Sequence, residues 1–107
     1  MARRPLTRRG VRRQRAREAE ALARDLEHLE RVAPGGTPHR PLEVESAAQV
    51  DVIAGQRPCP RCRVARRLEQ HVARTVDGEP LRAALLSCPR CARRTELWFR
   101  LRPARLH

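Results

Sequence analysis

With 107 residues, the chain has room for one small domain and an additional segment. A hydrophobic core of this size usually needs a further source of stability, such as a structural metal. The formal net charge is +12, and all 24 basic residues are arginine, which points to an acidic partner such as nucleic acid, an anionic membrane surface or an acidic protein. No apolar run approaches the roughly 18 residues of a membrane span. Aromatic residues make up 2% of the chain, which excludes a stacking platform of several rings.

Residues 1–17 form a strongly basic N-terminal segment with eight arginines and no acidic residue. Blocks of like charge repel one another, so the segment is predicted to be a disordered arm. One interpretation is a tether that binds nucleic acid through counterion release. The other is a solvated tail of biased composition, and charge alone does not separate the two. The candidate nucleic-acid contacts in this arm are Arg3, Arg4, Arg8, Arg9, Arg12 and Arg13.

A helical pattern follows, and residues 18–33 are predicted to form an amphipathic helix that ends at Pro34-Gly35-Gly36. Its apolar seam runs at alternating three- and four-residue steps through Ala19, Leu22, Leu26, Leu29 and Ala33. Glu20 with Arg24 and Glu27 with Arg31 are expected to pair along the helix. The seam is too short for a confident coiled coil, so it either docks on the domain or pairs with a second copy. Leu22, Leu26 and Leu29 are the candidate contacts for a protein partner or a homodimer.

The next segment, residues 34–41, is a linker by composition, and residues 42–44 are predicted to form a short strand. Ser46 and Gln49 resemble a capping box, which predicts a short helix over 47–54. Val50, Val52 and Ala54 also alternate as in a strand, so the pattern leaves both assignments open.

All four cysteines lie in two identical tetrapeptides, Cys59-Pro60-Arg61-Cys62 and Cys88-Pro89-Arg90-Cys91, with 25 residues between them. Two C-x-x-C pairs at such a separation are typical of a tetrahedral four-cysteine zinc site. Two intervening residues let one tight turn direct both thiolates at a single ion. The gap is long enough for a pair of strands that returns the chain to the metal.

Three other uses of the cysteines compete with zinc. Two disulfides would require an oxidising compartment, and no apolar signal segment is present, so a reducing, cytoplasmic location of the bacterial type is expected. A redox dithiol of the thioredoxin type needs one C-x-x-C within a βαβ pattern, which is absent. Iron is the closest rival, because rubredoxins also use two C-x-x-C pairs, but those sites lie in an aromatic core.

Three strands are predicted around the cysteines. Leu68, Val72 and Val76 are expected to share one strand face, and Asp77-Gly78 predicts a tight hairpin turn. The return strand contains Leu81, Ala83 and Leu85, and the third strand contains Leu97, Phe99 and Leu101. The prediction is a small, metal-stabilised α+β domain over residues 42–102, with a three-stranded antiparallel sheet and a frayed tail at 103–107.

Residues 57–101 resemble the zinc-ribbon family, in which two short C-P-x-C loops, called knuckles, bind one zinc ion. Residues 41–101 also resemble small uncharacterised bacterial zinc-ribbon proteins. The resemblance implies Cys59, Cys62, Cys88 and Cys91 as ligands of one structural Zn²⁺. Many ribbons place glycine after the second cysteine of each pair, whereas this chain has Arg63 and Ala92. A left-handed conformation at those two residues would cost roughly 1–2 kcal/mol each.

Four cysteines would close the zinc coordination shell, and no catalytic constellation is present, so the chain is predicted not to be an enzyme. Charge favours a nucleic-acid-associated accessory factor, and the alternative is a protein-interaction module that uses the ribbon and the helix. On the sheet, Arg66, Arg67, Trp98 and Arg100 are candidate nucleic-acid contacts. Trp98 could stack a base, or it could instead cover the N-terminal helix or the 42–54 segment. The arginines inside the knuckles are expected to offset the charge of the thiolates.

Overall fold

The computed structural model describes residues 7–103, which form two helices and one four-stranded sheet. The helices are α1 (Arg8–Val32) and α2 (Ala47–Gln56). The strands are β1 (Leu42–Val44), β2 (Arg67–Val76), β3 (Glu79–Ser87) and β4 (Arg94–Leu101). The prediction of a small α+β domain is confirmed.

The sheet is mixed, with the strand order β1-β4-β3-β2. Strands β2, β3 and β4 are antiparallel as expected, but β1 pairs in parallel with β4, which aligns Leu42 with Phe99 and Val44 with Leu101. The prediction of a three-stranded antiparallel sheet is therefore wrong. A three-residue strand gives no sequence signal for its partner, and burial of Val44 beside Phe99 holds β1 at this edge.

The β2–β3 hairpin turns at Asp77-Gly78, whose φ angles of 51° and 79° are those of the predicted tight turn. The single predicted face of β2 does not exist, however, because the register shifts between Leu68 and Gln70. Leu68 lies opposite Leu86, and Val72 lies opposite Ala83 on the other face of the sheet. A bulge of one residue reverses the side-chain alternation, which periodicity alone cannot reveal.

Both faces of the sheet carry an apolar cluster. Helix α2 covers one face, and the side chains buried there are Val44, Val50, Ala54, Ala84, Leu86, Leu97 and Phe99. The other face holds Leu81, Ala83 and Trp98, with Val72 and Val76 packed against them. Trp98 is 7% exposed, so its indole is part of this second cluster.

The helix predicted over 47–54 is present as α2, and the alternative strand is not formed. The Ser46 side chain accepts a hydrogen bond from the Gln49 N–H at 3.4 Å. The Gln49 side chain accepts one from the N–H of Glu45 at 2.6 Å, one residue before the position expected for a capping box.

Helix α1 is ten residues longer at its N-terminus than predicted. The Thr7 side chain caps it by accepting a hydrogen bond from the Gly10 N–H at 3.0 Å, and Arg8–Arg17 are helical rather than disordered. Arginine is a good helix former, so charge repulsion did not decide the conformation of these residues. The rest of the predicted arm (1–6) and most of the predicted tail (104–107) lie outside the described residues.

The linker after α1 is held against the sheet at Gly35. The Gly35 carbonyl accepts a hydrogen bond from the Trp98 N–H at 2.8 Å, and the Gly35 N–H donates to the Arg40 carbonyl at 2.6 Å. Gly35 has a φ of 91°, and a Cβ there would lie 2.9 Å from Leu42 Cδ1. The positive φ and this close contact favour glycine at this position, where the chain leaves α1.

Candidate metal centre

Both cysteine tetrapeptides fold into the same backbone loop. In the first, the Cys59 N–H donates to the Val64 carbonyl at 2.9 Å, and the Arg63 N–H donates to the Cys59 carbonyl at 2.7 Å. In the second, the Cys88 N–H donates to Arg93 at 3.0 Å, and the Ala92 N–H donates to Cys88 at 2.9 Å. The repeated sequence therefore produces a repeated knuckle, one preceding β2 and one joining β3 to β4.

The two knuckles keep the left-handed residue that many ribbons supply with glycine. Arg63 has a φ of 59° and Ala92 has a φ of 61°. For residues with a Cβ this conformation costs roughly 1–2 kcal/mol each. The knuckle geometry is retained despite the departure from glycine, so the interactions that close the loops outweigh this cost.

The loops bring all four sulfurs together: the Sγ atoms of Cys59, Cys62, Cys88 and Cys91 lie within 4.8 Å of one another. Cys59 Sγ and Cys91 Sγ are 3.8 Å apart, and none of the four cysteines forms a disulfide. Thiolates placed about 2.3 Å from a central ion at tetrahedral angles are about 3.8 Å apart. The cluster therefore has the size and the donor set to hold a metal ion, and the disulfide alternative is not realised.

The surroundings of two of the four thiols disfavour their ionised form. Burial raises the pKa of the Cys59 thiol, and it raises the pKa of Cys62 to about 12. The hydrogen bond that the Cys91 N–H donates to Cys88 Sγ lowers the pKa of Cys88 to about 6, against the opposing effect of burial. Metal-bound thiols are deprotonated, so a cation at the centre would supply the compensating charge.

Acidic residues of α1 dock on arginines at and beside the knuckles. Arg61 donates through Nε to Glu27 at 2.7 Å and through both terminal nitrogens to Glu20 at 2.7 and 3.0 Å. Arg93 also pairs with Glu27. These carboxylates raise the pKa of Arg61. The Arg61 guanidinium therefore holds the helix, and its offsetting of thiolate charge stays a prediction.

A deeper ion pair lies next to these contacts. The Arg66 side chain is only 1% exposed, and it donates to both oxygens of Glu30 at 2.8 and 2.9 Å. Its Nε donates to the Arg57 carbonyl at 3.2 Å. Such a planar, bidentate pair fixes the position of both side chains.

The acidic docking face was missed in the sequence. Glu20 and Glu27 were expected to pair with Arg24 and Arg31 along the helix, but in the structure they contact Arg61 and Arg93. The only apolar residue buried on α1 is Ala23. Glu20, Ala23, Glu27 and Glu30 recur at three- and four-residue steps, which is the signal that identifies one helix face.

The predicted nucleic-acid contacts fall into different environments. Trp98 is buried and Arg66 is enclosed by its ion pair, so neither presents a surface for a base or a phosphate. Arg100 pairs with Glu79 and Glu43. Arg67 is exposed on β2, and Arg8, Arg9, Arg12 and Arg13 are exposed on α1. Arg3 and Arg4 lie outside the described residues.

The seam predicted on α1 is not the docking surface. Leu22 and Leu29 are 51% and 58% exposed, and Leu26 is half-buried. The helix docks through its charges because the knuckles next to it present guanidinium groups rather than apolar side chains.

Comparison of the chain with protein-family models, with curated proteins and with solved structures found no match. Within residues 7–103, neither helix combines the length and the apolarity required to cross a bilayer. The functional argument consequently depends on the cysteine cluster and on the charge distribution.

Proposed function

We propose that this chain is a non-enzymatic zinc-ribbon protein that holds one structural Zn²⁺ through Cys59, Cys62, Cys88 and Cys91. The observation that carries the proposal is the convergence of two identical knuckles on one cluster of four sulfurs. Four thiolates complete a tetrahedral shell and leave no position for a catalytic water. The ion would then stabilise the fold, which is consistent with so small a core.

Zinc is proposed over iron because the cluster lacks the aromatic surroundings of a rubredoxin site. Trp98 and Phe99 are the only aromatic residues in the chain. Elemental analysis of natively purified protein should find about one zinc per chain, and chelation should remove the sheet signal in circular dichroism. Iron with a visible absorption band, or sheet structure that survives in metal-free protein, would overturn the zinc assignment.

We further propose that the protein associates with nucleic acid through the N-terminal part of α1. Residues 8–17 of the helix carry six arginines and no acidic residue, and all six arginines are exposed. An exposed basic helix neutralises phosphates and releases counterions, which produces strong and salt-dependent binding.

Matched charge removal tests this assignment. Replacing Arg9, Arg12 and Arg13 by glutamine should reduce the slope of log K against log salt concentration by about three, because about three phosphate contacts are lost. The control replaces Arg67, Arg94 and Arg102, which are exposed on the ribbon outside the two C-P-R-C tetrapeptides, and removes the same charge. Equal effects of the two triple variants would contradict a localised site on α1.

A second function has a specific observation in its favour. Leu22, Leu29 and Val32 are exposed on α1, which fits a protein-interaction module. If the protein showed no salt-dependent binding to DNA or RNA at all, this second function would replace the first.

A further inference from the structure

One face of α1 is apolar, exposed and uncovered by the rest of the described chain. Leu22, Leu29 and Val32 are 51%, 58% and 45% exposed, and they are three of the five large apolar side chains exposed in residues 7–103. At 100° per residue, this face lies about 150° around the helix from the face that docks on the knuckles, so the two faces point in nearly opposite directions. The docking of α1 on its own domain therefore leaves this face open.

The open face follows a heptad pattern along almost the whole helix. Steps of four and three residues connect Val11, Arg15, Glu18, Leu22, Asp25, Leu29 and Val32, a set called here the α1 stripe. The stripe contains four apolar residues and three charged ones, so a partner must match both kinds of position.

The helix also has opposite charges at its two ends. Residues 8–17 carry six arginines and no acid, whereas residues 18–32 carry five carboxylates against two arginines, a net charge of −3. A partner helix that runs in the opposite direction with the same charge distribution would place basic against acidic along the full length.

We propose that the α1 stripe is the interface of a homodimer in which two copies of α1 pair antiparallel. In a parallel pair in register, Arg15, Glu18 and Asp25 would each face their own copy, and like charges at an interface are unfavourable. The antiparallel arrangement removes all three of these repulsions, so the sequence of the stripe selects a second copy in reversed orientation.

One antiparallel register places most residues of the α1 stripe opposite a residue of matching character. Placing Leu29 opposite Val11 of the second copy also places Arg15 opposite Asp25 of that copy. Leu22 then lies opposite Glu18 next to the two-fold axis. This layer, which pairs an apolar with a charged side chain, contributes little to the free energy of dimerisation. We therefore expect a dissociation constant in the micromolar range rather than a tighter one.

Sedimentation equilibrium of the full-length, zinc-loaded and nucleic-acid-free protein tests the dimer. Leu29→Gln should raise the dimer dissociation constant at least tenfold. Val52→Gln is the matched control, since Val52 on α2 is likewise 58% exposed, and it should leave the constant unchanged. A wild-type protein that stays monomeric up to about 1 mM, or equal effects of the two variants, would overturn the proposal.

A charge exchange tests the orientation. Arg15→Asp and Asp25→Arg should each weaken the dimer, and the double variant should recover most of the wild-type affinity. Residues ten apart do not meet on a single helix, so the recovery cannot arise within one copy. A double variant that is weaker than either single one would exclude the antiparallel register. Because no nucleic acid is present, these outcomes are independent of the nucleic-acid proposal.

Discussion

The two halves of α1 belong to one continuous helix but relate to the rest of the protein in opposite ways. Residues 18–32 are acidic and are tied to the knuckle region through Glu20, Glu27 and Glu30. Residues 8–17 are basic, and within residues 7–103 they form no salt bridge with the sheet or the knuckles. The molecule is elongated, 73 Å long and 27 Å wide.

The difference shows that charge, rather than an apolar seam, determines which part of the helix docks. Arginines of the knuckle region form the platform, so carboxylates are attracted to it and the arginines of the N-terminal half are repelled. The docked half thereby ties the helix to the cysteine cluster, and the free half keeps its positive charge exposed.

Metal removal should have the largest effect on the difference between the docked residues 18–32 and the undocked residues 8–17 of α1. Chelation of the proposed Zn²⁺ should remove the folding energy that it supplies, which is on the order of 10–16 kcal/mol in small zinc peptides. Residues 18–32 should then lose their platform and exchange amide hydrogens faster, whereas residues 8–17, already exposed, should change much less. Hydrogen exchange by mass spectrometry measures both segments. Re-addition of zinc is the control, and unchanged exchange in residues 18–32 would break the proposed link.

Removing the buried ion pair should have the next largest effect. Glu30→Ala leaves the Arg66 guanidinium, 1% exposed, without its carboxylate, and it should lower the free energy of unfolding by about 3 kcal/mol in urea titrations. Glu18→Ala is the control, measured in protein dilute enough to be monomeric, because within residues 7–103 Glu18 hydrogen-bonds only to Gln14 on the same helix, and its effect should stay within about 0.5 kcal/mol. Similar losses in the two variants would show that Glu30 does not anchor the helix.

Glu27 connects α1 to both knuckles through Arg61 and Arg93. Glu27→Gln should lower the free energy of unfolding by about 1–2 kcal/mol, less than Glu30→Ala because Arg61 and Arg93 are partly exposed. It should also speed hydrogen exchange in residues 18–32. Stability and exchange that both remain at wild-type values would contradict the docking role of Glu27.

The docked carboxylates also predict a pH dependence. The hydrogen bond from Arg61 lowers the pKa of Glu20. Burial raises the pKa of Glu27, but the hydrogen bond from Arg61 and the charge of Arg93 outweigh it, so this pKa is also below its ordinary value of 4.5. Their stabilising contribution should be present above pH 4.5 and be lost as pH falls through the lower, folded values. Carboxyl NMR titration should give midpoints below 4.5, and midpoints at or above that value would refute the pairing.

The smallest effect is expected at Arg63 of the first knuckle, a residue that forms no salt bridge with α1 within residues 7–103. Arg63→Gly should relieve the left-handed strain at a φ of 59° and raise the free energy of unfolding by about 1 kcal/mol or less, since glycine also makes the unfolded chain more flexible. Ala65→Gly, at a residue without positive φ, should instead destabilise the protein by about 0.5–1 kcal/mol. Destabilisation by Arg63→Gly would show that the Arg63 side chain contributes contacts that outweigh the strain.

Short-range patterns in the sequence were sufficient for the local elements. The two C-P-R-C tetrapeptides identified the four residues that cluster, Asp77-Gly78 identified the hairpin, and Ser46 with Gln49 identified the start of α2. The hairpin turn, the start of α2 and the loop of each knuckle depend on interactions between residues close in the chain, where residue type and spacing decide the conformation.

Long-range relations needed the tertiary structure. The parallel partner of β1, the bulge at Leu68–Gln70, the burial of Trp98 and the acidic docking face of α1 depend on which elements pack together. A three-residue strand, one shifted register and a carboxylate with several arginines within reach are each compatible with more than one arrangement. By itself the sequence determined the local turns and which four cysteines cluster; only packing and charge pairing in three dimensions decided which faces are covered and which half of α1 stays free.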